Sequence, residues 1–90
     1  MSYREEVLRT LKVAPENVLS LGALGLAGET GEVVELVKKF IHHGRPIDMH
    51  QLKQELGDVR WYLELLAYWA GLTMEEIERE NVEKLRRRYP

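Results

Sequence analysis

The sequence predicts an all-α fold, a bundle of about four helices, on three observations. Long runs of strand-like alternation are absent, and apolar residues recur at helical spacing through most of the chain. Helix start and stop signals agree with that periodicity at several separate places. Ninety residues also form one domain at most, with a core so modest that a partner subunit is expected to complete the bundle.

The first helix is expected from about Ser2 to Lys12, because Ser2 followed by Glu5 is a capping-box pattern. Pro15 suits the first turn of a second helix that stops at Gly44. Arg45-Pro46-Ile47 reads as the loop after it. Asp48 then caps a third helix ending before Gly71, and Thr73 with Glu76 opens a fourth that runs to about Arg88. The second helix is the weak one. It contains Gly22, Gly25, Gly28 and Gly31, each costing about 1 kcal/mol against alanine, so a break is expected between Ser20 and Gly25. The same glycines permit close approach of another helix or of a ligand.

Composition narrows the function. A hydrophobic fraction of 44% excludes a disordered chain, and a charged fraction of 31% suits helices with solvated outer faces. A net charge of -2 argues against nucleic acid as a partner bound through bulk positive charge. The chain has no cysteine, which excludes disulfides and thiolate metal sites. No apolar run reaches membrane-spanning length, and Met-Ser-Tyr-Arg-Glu-Glu leads into no apolar signal core, so no membrane partner and a cytoplasmic location are expected.

The chemistry lies in acids that occupy apolar positions. At about 100° per residue, Val18, Leu26, Val33, Leu36 and Phe40 share one sector of the second helix. Glu29 falls inside that sector, Glu32 at its edge and Glu35 further toward the polar side. On the third helix, Leu52, Leu56, Val59, Leu63, Leu66 and Ala70 define a stripe that includes Glu55, with Asp58 on its flank beside Tyr62, Leu65 and Trp69. Each helix thus aims an acidic pair at i, i+3 toward packing surface. Buried carboxylates are costly unless paired or bound to a cation. Two antiparallel helices bring four of them together, and an all-oxygen set suits Mg²⁺ or Mn²⁺. Ion pairs to Lys38, Lys39 or Arg60 are the competing, purely structural account. On the fourth helix, Asn81 shares the apolar side of Met74, Ile77 and Leu85, with Lys84 and Arg88 close by. Lys84 suits either a bound phosphate or the helix dipole, whereas Arg86 and Arg87 read as dipole partners. Trp61, Tyr68 and Trp69 read as core or interface, and His42 and His43 as partners of the helix C-terminus.

The stretch Gly25-Leu-Ala-Gly-Glu29-Thr-Gly-Glu32-Val-Val-Glu35-Leu resembles the first signature of the MazG-type nucleotide pyrophosphohydrolases. Glu55-Leu-Gly-Asp58-Val-Arg-Trp-Tyr62-Leu resembles the second, and Glu80-Asn81-Val-Glu-Lys84-Leu-Arg-Arg-Arg88-Tyr-Pro resembles the closing helix. One departure is Gly28, which stands where the pattern often has its first Glu. The resemblance implies Mg²⁺ at Glu29, Glu32, Glu55 and Asp58, with substrate phosphates at Asn81 and Lys84. Arg88 is a further candidate at the phosphates, and Tyr62 is a candidate contact to sugar or base. Glu32 or Glu35 is the expected base that orients or deprotonates the attacking water. The implied reaction converts a nucleoside or deoxynucleoside triphosphate to its monophosphate and pyrophosphate, in a homodimer or homotetramer, with nucleotide-pool sanitation as the implied role. Two rivals remain. A ferritin-like di-iron bundle needs Glu-x-x-His pairs, and no histidine follows any of the four acids at that spacing. A non-catalytic helical oligomerisation module would hold the acids in structural ion pairs.

Overall fold

The computed structural model describes residues 1–90 and contains four α-helices and no strand: α1 (Tyr3–Thr10), α2 (Val18–His43), α3 (Met49–Ala70) and α4 (Met74–Arg88), with a short 3₁₀ turn at Pro15–Asn17. No helix is long and apolar enough to cross a membrane.

The ends of the helices are set by the local signals that the sequence displays. Ser2 accepts from the backbone N–H of Glu5, and the Glu5 side chain accepts from the backbone N–H of Ser2. Thr73 and Glu76 make the same reciprocal pair at the head of α4. Asp48 accepts from the N–H groups of His50 and Gln51. Gly44 and Gly71 end α2 and α3 in the left-handed conformation, at φ 64° and 73°, which a residue without a Cβ adopts freely. Two boundaries differ from expectation. The first helix stops at Thr10 rather than Lys12, and Pro15 heads the 3₁₀ turn while α2 proper begins at Val18.

The expected break between Ser20 and Gly25 is absent, and α2 runs unbroken for 26 residues. Tertiary packing explains this. A Cβ on Gly22 would lie 2.7 Å from Leu66 Cδ2, and one on Gly25 would overlap the Tyr62 ring. The two glycines form the floor on which α3 rests, and the packing there offsets their helix-propensity cost. Gly28 and Gly31 meet nothing at that distance.

The core is small. Val7, Val18 and Leu65 form its centre, with Leu11, Val13, Leu21 and Trp61 packed around them. The stripe expected on α3 is displaced. Leu65, Ala67 and Glu64 are buried, whereas Leu56, Leu63 and Ala70 are exposed, because α3 is flanked by α1 as well as α2. On α2, Val18 and Leu36 are buried as the wheel indicates, but Phe40 is exposed. Glu64 is tolerated because Arg4 donates to it from Nε and Nη2 at 2.9 and 2.7 Å, and Arg60 donates from Nη2 at 3.1 Å. Arg4 Nη2 also donates to the Leu72 carbonyl, and Arg60 lies over the Tyr3 ring, so α1 is clamped onto α3.

Beyond its first turn α4 lies free: every residue after Met74 is exposed, Ile77, Val82 and Leu85 among them. The radius of gyration is 15.7 Å, against about 12 Å for a compact chain of this length.

The two kinds of glycine should separate in unfolding experiments. Gly25→Ala is expected to destabilise the chain by about 1–3 kcal/mol, because the Tyr62 ring must move. Gly31→Ala, which meets open space on an exposed turn, should stabilise it by up to about 1 kcal/mol. Urea titrations of both variants monitored by helical circular dichroism check the pair.

Candidate metal and nucleotide site

The α2–α3 pair is antiparallel, and its register follows from the contacts already described. Gly22 faces Leu66 and Gly25 faces Tyr62. One turn further along α2 stands Glu29, and one turn back along α3 stands Asp58, with Glu55 three residues beyond. The spacing that places glycines opposite large side chains therefore places carboxylates opposite carboxylates.

Glu29, Glu55 and Asp58 each offer an oxygen, and these atoms lie within 4.8 Å of one another. Glu29 and Glu55 are half-buried, while Asp58 is exposed. Partial burial pushes the Glu29 carboxyl above the usual carboxylate range; a side-chain hydrogen bond with Glu55 and the negative charges of Asp58, Glu55 and Glu32 push it the same way. None of the four acids forms an ion pair. The ion pairs of the chain are Arg4–Glu64, Arg9–Glu6, Lys38–Glu35 and Arg60–Glu64. The expected structural partners Lys38 and Arg60 thus serve other acids, and Lys39 forms no ion pair.

Glu32 is exposed, one turn from Glu29, near enough to act on its charge but outside the three-oxygen group. Glu35 is 3.5 Å from Lys38 and lies a further turn away. Tyr62 lines a cavity of about 260 Å³ together with Glu29, Asp58, Trp61 and Thr10. Asn81, Lys84 and Arg88 are exposed on α4, and within one chain α4 does not pack over the acidic cluster.

Two parts of this arrangement escape the sequence reading. Thr10, from α1, forms part of the cavity wall and accepts a hydrogen bond from Trp61 Nε1 at 3.0 Å. Nothing in the pattern around Thr10 announces it. Glu64 is the other, and it had a signal: a lone acid within Leu63-Glu64-Leu65-Leu66 must find a cation when α3 is packed on both sides.

The chemistry of the donor set fits a hard divalent cation. Three carboxylate oxygens gathered from two helices, with no ion-pair partner and with the Glu29 carboxyl pushed above its usual range by partial burial and its acidic neighbours, form a site whose repulsion a cation would relieve.

Comparison with known proteins covers the same segment. A family profile described as MazG nucleotide pyrophosphohydrolase domain matches residues 19–90. A 74-residue stretch is 34% identical to the Gene 37 protein of Mycobacterium phage L5, covering 78% of this chain and 65% of that protein, whose name states no activity. No solved structure matches.

The raised Glu29 carboxyl has a consequence for stability. Its contribution is intact below the ordinary carboxylate pKa and is lost as pH climbs through the raised value, because the unfolded chain releases that proton more readily. In the presence of a chelator, Glu29→Gln should therefore be more thermostable than the parent at neutral pH, with the gap closing as pH falls toward the ordinary carboxylate range. Paired thermal melts across that range measure it.

Proposed function

The chain belongs to the MazG nucleotide pyrophosphohydrolase family, and on that premise we propose that it hydrolyses nucleoside or deoxynucleoside triphosphates to monophosphate and pyrophosphate with Mg²⁺ or Mn²⁺. The observation that carries the reading is the convergence of Glu29, Glu55 and Asp58 with no basic partner. It also weighs against a non-catalytic oligomerisation module, which needs those acids in ion pairs.

In this reading Glu29, Glu55 and Asp58 would hold the cation, with Glu32 available from the next turn of α2. The cation would supply charge neutralisation for the phosphates and acidify the attacking water. Glu32 orients or deprotonates the attacking water. Glu35 is the weaker choice for that task, since its carboxylate lies beside Lys38. No carboxylate stands at Gly28, so that position takes no proton in this reading. Tyr62 faces the sugar or base from the cavity wall.

Asn81, Lys84 and Arg88 take the phosphates in the same proposal, and an α4 lying free of its own hairpin supports a neighbouring copy as the source of these groups. Self-association into a homodimer or homotetramer is thus part of the reading. The extended shape of the single chain supports it, as do the exposed Val34, Val37, Phe40 and Ile41 of α2 and Ile77, Val82 and Leu85 of α4. Removal of unwanted nucleotides from the pool is the role this chemistry serves.

Asp58→Asn is expected to lower pyrophosphate release from a panel of nucleoside triphosphates by about two to three orders of magnitude, with the helical circular dichroism unchanged. Activity equal to the parent would remove the proposed role. Independently, Mg²⁺ with a nonhydrolysable triphosphate should stabilise the parent by about 2.7 kcal/mol at a hundredfold excess over Kd. An unshifted melting curve at millimolar ligand would favour the interaction module.

A further inference from the structure

We propose that Trp61 is a specificity-determining residue of this site, contacting the nucleoside end of the substrate, and that Thr10 is the residue that positions it. The proposal rests on the triphosphate reading above. Hydrolysis that releases pyrophosphate puts the first phosphate at the carboxylate cluster. The sugar is bonded directly to that phosphate, so it lies immediately beside Asp58. Trp61 and Tyr62 stand three and four residues after Asp58, on the next turn of the same face of α3. Together with Glu29, Asp58 and Thr10 they line the open cavity of about 260 Å³.

The two rings meet edge to face, with centroids 4.9 Å apart and planes at 76°. Trp61 also packs against the core of Val7, Val18 and Leu65, which limits how far it can turn. Its single donor is used: the indole N–H gives its hydrogen bond to Thr10 Oγ1. The Thr10 hydroxyl in turn has one proton to give, to the carbonyl of Val7 at 2.9 Å or of Glu6 at 3.1 Å. An indole so engaged offers the ligand ring surface and no hydrogen bond. It selects by contact and stacking, and the position of its ring decides what is accepted.

That position is dictated from outside the family segment. Thr10 is the last residue of α1, α1 is clamped to α3 by Arg4 and Glu64, and the family match begins at residue 19. The N-terminal helix therefore adjusts substrate preference without touching the carboxylates, and a chain with the same acids and a different first helix would prefer a different nucleoside.

The test compares Thr10→Val, which keeps the shape and removes the acceptor, with Thr10→Ser, which restores it. Thr10→Val should raise KM for nucleoside triphosphates about tenfold and alter their ranking, with kcat within about twofold of the parent. The inhibition constant of inorganic tripolyphosphate, which has no nucleoside, should stay unchanged, and Thr10→Ser should return KM to the parent value. An unmoved KM, an equal change for tripolyphosphate, or failure of the serine variant to restore KM overturns the proposal. A second readout does not depend on turnover. The chain has two tryptophans, so Trp69→Phe leaves Trp61 as the sole indole. With Mg²⁺, its emission should change on adding a nonhydrolysable nucleoside triphosphate and not on adding tripolyphosphate; equal responses, or none, overturn the assignment. A chain that hydrolyses no nucleoside triphosphate removes the underlying reading, whereas an active chain with unmoved KM removes this proposal alone.

Discussion

Gly22 and Gly25 let α2 and α3 approach until Leu66 and Tyr62 fill the space that side chains on α2 would need. The rest of the molecule depends on that contact. It locks the antiparallel register toward the start of α2, since sliding α3 that way by one turn would drive Leu66 from Gly22 onto Val18 or Leu19, which carry side chains. Glu29 lies one turn beyond Gly25, and Asp58 one turn before Tyr62, so the lock also decides which carboxylates meet. Packing and chemistry use the same face of α2. Its first half contributes absent side chains and its middle contributes acids.

The acids of α3 show two opposite solutions to one electrostatic problem. Glu64 is buried, and both its oxygens accept from guanidinium groups, Arg4 from α1 and Arg60 from its own helix. Glu55 and Asp58, two turns earlier, gather with Glu29 and form no ion pair. Glu64, paired with two arginines, does structural service, and removing both would leave a buried charge unpaired. Carboxylates that crowd together repel one another and weaken the fold that holds them. Such a cluster persists where function demands it, and proteins commonly trade stability for a working site. The contrast on a single helix separates the two kinds of acid better than their spacing does.

Features set by near neighbours were legible in the sequence. Capping boxes at Ser2 and Thr73, the Asp48 cap and the stops at Gly44 and Gly71 involve residues within a few positions of each other, so pattern alone locates them. The meeting of Glu29, Glu55 and Asp58 was legible as well, because Glu29 and Glu55 interrupt apolar sectors on two helices, whereas Glu32, expected with them, stays outside the group. What failed depended on distant partners. Propensity counts the cost of Gly22 and Gly25 but cannot see Leu66 and Tyr62 arriving more than 35 residues later to justify them. The α3 stripe was misassigned because a wheel assumes one buried face, whereas α3 is covered on two sides. Thr10 was invisible for the same reason: its significance lies in an indole 51 residues away.

The free α4 follows from how little the single chain buries. Only seven of ninety residues are buried, and where α2 and α3 approach closest α2 contributes Gly22 and Gly25 rather than apolar side chains. Glycine contacts fix geometry well but remove little apolar surface from water, and burial of apolar surface is what stabilises a domain of this size. The deficit is visible as apolar side chains left outside: Val34, Val37, Phe40 and Ile41 along the far half of α2, and Ile77, Val82 and Leu85 on α4. The far half of α2 extends past the acidic cluster, so surface still seeking cover adjoins the carboxylates. Cover supplied there by another copy would shield the cluster from water and strengthen every charge interaction within it. A chain whose packing face is given over to a site thus has one economical way to gain stability, and the same association would also dry the site.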